Sequence, residues 1–330
     1  MRREIRMYTV TRNWMRLVPV VFTLGLLLHL PLRGGGYSVE KATFSVKIGN
    51  ETIPYKVFGI YVLPEEKVEI KTVDYKHLAP CYFNHSAGHV LFEESNRWIW
   101  QAPEAPGLYS LQIGPALSPD SVALNVFVMI PYTELREGYL EDYHIGVYPA
   151  NRLQKLTRYR LPKGFIRVTK ENEETFVSPH FKLKQFLCKQ KSSYPKFVVM
   201  KEKLLLKLEL ILDMVNQSGF QAATFHIMSG YRTPYYNHAI GNVKNSRHIY
   251  GEAADIFIDE QPKDTWMDDL NRDGKIDIRD AEVLFRIVDN MYGRPWYAAF
   301  IGGLGRYRKT TAHGPFVHVD VRGFRARWGD

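Results

Sequence analysis

The pattern of hydrophobic and polar positions divides the chain near residue 134. Before it, short alternating or β-branched runs predict strands, because side chains of a half-buried strand alternate between core and solvent. These runs lie at 43–48, 53–63, 68–73, 98–100, 108–113 and 122–130. Turn residues such as Gly49 and Pro106 separate them at the spacing of a β-sandwich. Residues 37–133 are therefore predicted to form a β-sandwich domain.

One part of this region also resembles a known module. The arrangement of Trp98, Trp100 and Tyr109 around a Pro-Gly turn is similar to strands of an immunoglobulin-like domain. His85 and His89 have no acidic or thiol partner at metal-ligand spacing and are predicted to be loop residues. Because no catalytic constellation is found here, we expect a binding or spacer domain.

Residues 134–175 are a connector rich in aromatic and basic residues, which are predicted to pack at a domain junction rather than line a polymer groove. Beyond the connector, the hydrophobic residues recur at helical spacing. Ser178 and Pro179 predict a helix N-terminus. Residues 201–216 predict a second helix, with Leu204, Leu208, Ile211 and Val215 on one stripe. Apolar runs at 220–228, 256–258 and 316–321 predict strands. Residues 176–330 are therefore expected to form an α+β domain.

The N-terminus predicts export. Arginines precede an uncharged run at 17–32, which is short for a spanning helix and long for a signal-peptide core. The arginines orient the N-terminus to the cytoplasm. Residues 1–36 are predicted to be a signal anchor or signal peptide with a Gly-rich linker. The remainder would lie in the periplasm or cell envelope, anchored in the inner membrane.

Composition narrows the class of partner. The chain has 330 residues, 45% hydrophobic and 24% charged, which is ordinary for a globular protein of two domains. The net charge of +9 indicates an anionic partner, namely nucleic acid, a membrane surface or a cell-wall polymer. Lysines and arginines are dispersed and no nucleic-acid motif is found, so nucleic acid is not expected. The chain has only two cysteines, Cys81 and Cys188, which are too few for a disulfide framework.

Three residues have the chemistry of a catalytic zinc site. Zinc in such sites takes three protein ligands, and His248, Asp255 and His318 would supply them. Gly251 lets the backbone bend between the first two. His318 and Asp320 lie two residues apart on one strand face, so Asp320 could orient a ligand or transfer a proton. The spacing alone also arises by chance.

Three ordered blocks resemble one family. Ser229-Gly-Tyr-Arg232, the block from Ser246 to Asp255, and Phe316-Val-His-Val-Asp320 are similar to the zinc D-Ala-D-Ala metallopeptidases. The match looks closest to the periplasmic murein endopeptidase branch, and the fold of the family is shared with the hedgehog signalling domain. The resemblance covers about residues 175–330. It implies that His248, Asp255 and His318 bind zinc and that Arg232 binds a substrate carboxylate or the oxyanion.

The general base is left open by a departure from the family. Some members carry a His two residues before the last ligand, or an acid three residues before it, where this chain has Phe316 and Pro315. Asp320 is the first candidate for the base, with His313 and Glu252 as alternatives. The implied activity is zinc-dependent hydrolysis of peptidoglycan peptide bonds. The alternative is a non-catalytic zinc-containing module that binds cell wall or protein.

A second metal site is predicted within an insertion at 262–292. Oxygen ligands fall at loop positions 1, 3, 5, 7, 9 and 12 of an EF-hand, with Gly274 at the sharp turn. In order, they are Asp269, Asn271, Asp273, the carbonyl of Lys275, Asp277 and Asp280. Aspartate at the last position resembles the dockerin repeat. We expect a structural Ca²⁺ ion, and the alternative is a solvated acidic turn.

Overall fold

The structure is a computed structural model that describes residues 37–73, 80–94, 96–149 and 159–329. The predicted signal anchor at 1–36 lies outside these residues, as does part of the connector. Within the described ranges, no helix has the length and apolar character needed to cross a membrane.

The N-terminal part is built from two sheets. Their strands are β1 (Lys41–Ile48), β2 (Glu51–Tyr55), β3 (Val57–Val62), β4 (Lys67–Val73), β5 (Cys81–His85), β6 (His89–Glu94), β7 (Arg97–Gln101), β8 (Gly107–Pro115) and β9 (Val122–Val128). One sheet has the order β2-β1-β4-β7-β6 and the other β3-β9-β8-β5. The pairing is antiparallel except between β3 and β9. Phe83 of one sheet stacks on Trp98 of the other, 5.3 Å between ring centroids.

Two details of these sheets differ from the sequence prediction. The predicted strand at 53–63 is two strands that separate at Lys56 and belong to different sheets. His85 and His89 lie in β5 and β6, not in loops, because backbone pairing with β8 and β7 forms these strands despite their polar side chains. The immunoglobulin-like arrangement itself stays a prediction.

Short strands connect the two halves. They are β10 (Ile130–Pro131), β11 (Tyr139–Leu140), β12 (Tyr143–His144), β13 (Gly164–Val168), β14 (Phe176–Ser178), β15 (Phe181–Lys182) and β16 (Lys196–Val198). The helix predicted from Ser178 is wrong, since Ser178 ends β14 and only one 3₁₀ turn forms, at Leu183–Phe186. The extended chain of β15 already buries Phe181, and the turn buries Leu183 and Phe186. Those apolar residues therefore reach the core without a helix.

The C-terminal part is α+β, as predicted. Its elements are α1 (Glu202–Gln217), β17 (His226–Ser229), α2 (Pro234–Ala239), β18 (Ala253–Phe257), α3 (Ile278–Asp289), β19 (Gly303–Tyr307), β20 (Phe316–Asp320) and β21 (Ala326–Trp328). The sheet has the order β17-β18-β20-β19-β21. Leu204, Leu208, Ile211 and Val215 of α1 are buried, as their helical spacing predicts. Helix α3 packs against α1, β19 and β20.

The register of this sheet places four residues in one row. Asp255 of β18 pairs with His318 of β20, His318 pairs with Gly305 of β19, and Gly305 pairs with Trp328 of β21. Residues directly opposite in neighbouring strands share a face of the sheet. The row therefore brings a carboxylate, an imidazole and an indole together above a glycine.

Candidate metal centre

The first predicted ligand comes from a turn rather than from the sheet. His248 lies in a 3₁₀ turn, Arg247–Tyr250, which ends at Gly251 in the left-handed conformation with φ of 67°. A side chain at Gly251 would collide with the backbone of Val199, so glycine is required on both counts. The turn places His248 over the sheet row that contains Asp255 and His318.

The three predicted ligands converge. His248 Nε2 lies 3.2 Å from Asp255 Oδ1 and 3.2 Å from His318 Nδ1, and His318 Nδ1 lies 2.8 Å from Asp255 Oδ1. All three residues are buried. Zinc–ligand bonds of about 2 Å in a tetrahedron place ligand atoms about 3.3 Å apart. The donor atoms and their spacing therefore fit a zinc ion.

Hydrogen bonds on the far side of each imidazole orient its lone pair toward this centre. His248 Nδ1 donates to the carbonyl oxygen of Gly230 at 2.7 Å, which leaves Nε2 as the unprotonated nitrogen. His318 lies between two carboxylates, with Nε2 3.2 Å from Asp320 Oδ2 and Nδ1 2.8 Å from Asp255 Oδ1. Donation from Nε2 to Asp320 would leave the lone pair of Nδ1 for a metal ion. Partners of this kind hold metal-binding histidines in the required tautomer.

Asp320 is located behind His318 rather than in the open site. Its side chain is fully buried and accepts hydrogen bonds from the backbone of Gly303 at 2.7 Å and from Arg322 at 2.5 Å. Burial alone would raise the pKa of Asp320, but the hydrogen bonds from His318 and Arg322 lower it far below its usual range. A carboxylate held this way is a weak proton acceptor. The geometry favours the orienting role over that of general base.

Arg232 lies beside the three predicted ligands, and its role in binding a substrate carboxylate or the oxyanion stays a prediction. Its Nε donates to Ser229 Oγ at 2.8 Å and its Nη2 to Asp255 Oδ2 at 2.5 Å. Asp255 therefore presents Oδ1 to the metal position and Oδ2 to the guanidinium. Burial would raise the pKa of Asp255, but His248 and His318 together hold it well below the usual value. The carboxylate is ionised, as a metal ligand must be.

A pocket of about 440 Å³ opens onto this centre. Three arginines line it, namely Arg232, Arg247 and Arg322. Among the residues that the structure describes, Asp255 is the only carboxylate in its lining. Each of these arginines pairs with a carboxylate, so the lining offers guanidinium N–H donors rather than an uncompensated positive charge. In the same order, the partners are Asp255, Glu252 and Asp320.

Residues 179–275 match the family model for Peptidase M15. The matched segment contains Arg232, His248 and Asp255, and it supports a peptidase of this zinc-dependent family. His318 lies beyond the matched segment and joins the other two ligands through the pairing of β18 with β20. No curated protein matches the chain.

The two other candidates for the general base lie outside the lining of the pocket. His313 Nδ1 is 2.8 Å from the carbonyl oxygen of Gly314, and the ring packs on Phe316. Glu252 pairs with Arg247, and burial raises its pKa. The structure therefore brings neither of them to the centre formed by the three ligands.

The predicted calcium loop is closed by its own hydrogen bonds. Asp269 accepts from the backbone of Asp273 and Gly274, and the buried Asp280 accepts from the backbone of Leu270, Asn271 and Asp277. Asp273 and Asp277 form ion pairs with Arg279. Within the described part of the chain, the acids of this loop form no convergent cluster like that of His248, Asp255 and His318. The calcium site stays a prediction.

Several residues of the pocket were not predicted from the sequence, and three of them lie beside His318 or Asp320. They are Tyr307, Arg322 and Trp328. Arg322 and Trp328 follow Asp320 closely along the chain, and Tyr307 is at the end of a strand with alternating glycines. Those signals are weak, because only the pairing of β19 with β20 and β21 brings Tyr307 and Trp328 to the metal centre.

Proposed function

We propose that the protein is a zinc-dependent peptidase that hydrolyses peptide bonds of peptidoglycan, in a stem peptide or a cross-link, in the cell envelope. The convergence of His248, Asp255 and His318, each with its outer hydrogen-bond or ion-pair partner, carries the proposal. The match of residues 179–275 to a peptidase family supports it.

The residues of the chain have separate tasks in this function. His248, Asp255 and His318 would hold a zinc ion, which would lower the pKa of a bound water to about 7 and polarise a carbonyl group. Asp320 and Gly230 hold the two imidazoles in register. Arg232 holds negative charge on the substrate. Hydrolysis joins the water oxygen to the carbonyl carbon and breaks the C–N bond, and the amine leaves with a proton.

Charge supports peptidoglycan as the substrate class. Its stem peptides carry free carboxylates, and the guanidinium groups of three arginines line the pocket, where their N–H donors can bind such groups. The net charge of +9 favours approach to an anionic wall polymer. We also retain the proposals of a periplasmic location with an inner-membrane anchor and of a structural Ca²⁺ ion at 269–280.

One observation favours a second function, a non-catalytic module that binds cell wall or protein. No carboxylate or imidazole beyond the three ligands lines the pocket in the described residues, so an obvious proton acceptor is not at hand. A zinc site without such a group would serve recognition rather than hydrolysis.

Zinc content and murein digestion separate the two functions. Purified wild type is expected to contain one zinc ion and to release new fragments from murein, identified by mass spectrometry. His248→Ala should lose both, because a buried ligand is removed. His238→Ala is the matched control, since His238 is an exposed histidine of α2 outside the pocket. Zinc-loaded wild type that leaves every murein substrate intact would favour the binding module.

A further inference from the structure

Tyr307 is placed where it can contact a substrate bound at the metal centre. It lies two residues from Gly305 on β19, so both side-chain positions are on the face that carries Asp255 and His318. Because Gly305 pairs with His318, Tyr307 is a diagonal neighbour of His318. Such neighbours have Cα atoms about 7–8 Å apart, which is within reach of an aromatic side chain. Its ring stacks on Phe316 at 4.5 Å and lines the pocket.

The hydroxyl of Tyr307 is held by Trp328. The Trp328 indole Nε1 lies 2.7 Å from the Tyr307 oxygen. Trp328 is itself fixed, because it covers Gly305, where any side chain would collide with the indole. The guanidinium of Arg322 lies 5.0 Å from the Trp328 ring, and the His318 ring lies 5.2 Å away.

This hydrogen bond leaves the phenolic proton of Tyr307 available. An indole N–H can only donate, so the Tyr307 oxygen is the acceptor. Within the described residues, the Tyr307 hydroxyl has no hydrogen-bond partner besides Trp328. Burial raises the pKa of Tyr307, so the hydroxyl keeps its proton at neutral pH. The pocket therefore contains an oriented neutral donor that the chain itself does not use.

We propose that Tyr307 donates a hydrogen bond to the carbonyl oxygen of the scissile peptide as that oxygen gains negative charge, and that Trp328 is its positioning residue. The inference rests on the proposed peptidase function. Tyr307 keeps its proton throughout, since it stabilises charge and does not protonate the leaving amine. Preorganised donors of this kind act on the transition state more than on the bound substrate.

The first test is the kinetics of zinc-loaded, full-length Tyr307→Phe. Loss of one such donor is expected to lower kcat about 100-fold or more, with KM little changed. Zinc content should equal that of wild type, because Tyr307 contacts none of the ligand atoms through a hydrogen bond. Tyr292→Phe is the matched control, since Tyr292 is an exposed tyrosine that packs on Arg325 outside the pocket.

A double variant separates positioning from structure at Trp328. Trp328→Phe keeps an aromatic ring but removes the N–H that holds the Tyr307 hydroxyl, so this variant should have a lower kcat with little change in KM. Adding it to Tyr307→Phe should lower kcat little further, because both changes remove one interaction. Losses that multiply in the double variant would overturn the positioning role of Trp328.

A binding readout keeps this inference distinct from the proposed function. A phosphinate dipeptide analogue carries the negative oxygens of the transition state, and its affinity for zinc-loaded protein is measured by calorimetry. Tyr307→Phe should weaken it about 10- to 100-fold, the effect of one hydrogen bond to a charged group. If wild type cleaves no peptide, the peptidase function fails, and weaker phosphinate binding by the variant would then show only that Tyr307 donates a hydrogen bond to an anionic oxygen at the metal centre. Equal affinity, or no phosphinate binding by zinc-loaded wild type, overturns the inference.

Discussion

Asp320→Asn distinguishes the two roles that the sequence left open for this residue. The substitution keeps the size of the side chain but replaces one carboxylate oxygen with an amide NH₂ group, which is a donor. The other oxygen remains as a neutral acceptor, facing either His318 Nε2 or Arg322. Asp320 receives hydrogen bonds from His318 at 3.2 Å, Arg322 at 2.5 Å and Gly303 at 2.7 Å. All three depend on a buried carboxylate, so a neutral amide cannot satisfy them equally.

The size of the effect follows from these contacts. Loss of an outer partner of a metal-binding histidine lowers metal affinity about 10- to 100-fold, or roughly 1.4–2.7 kcal/mol. Arg322 also loses its charged partner while remaining mostly covered. Removal of one partner of a fully buried pair costs about 3–5 kcal/mol, and the partial exposure of Arg322 reduces that figure. We therefore expect weaker zinc binding together with lower stability of the metal-free protein.

Two measurements test this reasoning. Competition with a chelator of known affinity gives the zinc dissociation constant, and urea unfolding in EDTA gives the free energy of unfolding. Asp264→Asn, an exposed aspartate outside the pocket, is the matched control. If Asp320→Asn bound zinc as tightly as wild type and lost all peptidase activity, the orienting role would be refuted and the residue would be the general base.

Two further predictions concern regions outside the pocket. Burial would lower the pKa of His180, but its ion pair with Glu209 at 2.6 Å raises it above 6.5. The stability from this pair should be complete below about pH 6.5 and be lost as pH rises through the folded-state pKa, so His180→Asn should flatten the pH dependence of urea unfolding between pH 6 and 9. For the loop at 269–280, calorimetry of chelator-treated protein should detect Ca²⁺ binding at about 0.1–1 mM or tighter, and Asp269→Ala should abolish it. No heat at millimolar Ca²⁺ would leave the loop as a solvated acidic turn.

Local pattern predicted the elements whose side chains repeat at a fixed period. Helix α1 was predicted within about one residue at each end, because its apolar stripe has one helical period and Gly219 follows it. The helix predicted from Ser178 was wrong, since Ser178 and Pro179 are equally suited to a turn between two short strands. Strands β5 and β6 were missed because their stability comes from pairing with β8 and β7 rather than from an apolar face.

The metal centre could be predicted in part from the sequence, for a different reason. The blocks around Arg232, His248 and Asp255 carry a resemblance that names residues directly, and the structure places those residues beside His318. Tyr307 and Trp328 could not be found in this way. They meet only because β21 adds in parallel beside β19, a pairing between segments with no shared periodicity. Register between strands, rather than residue type, determines which side chains surround the metal position.

In the proposed function Arg232 serves the protein and a substrate at once, and the geometry of Asp255 allows this. A guanidinium has five N–H donors, and the hydrogen bonds to Ser229 and Asp255 use two of them. Asp255 directs Oδ1 to the metal position and Oδ2 to Arg232, so zinc binding and the ion pair do not compete for one oxygen. With a zinc ion bound, one carboxylate and one guanidinium would leave the centre with a net positive charge. A substrate carboxylate can then bind the remaining donors of Arg232 without displacing Asp255. A lysine at this position, with one compact ammonium group, could not hold Ser229, Asp255 and the substrate carboxylate together in one plane.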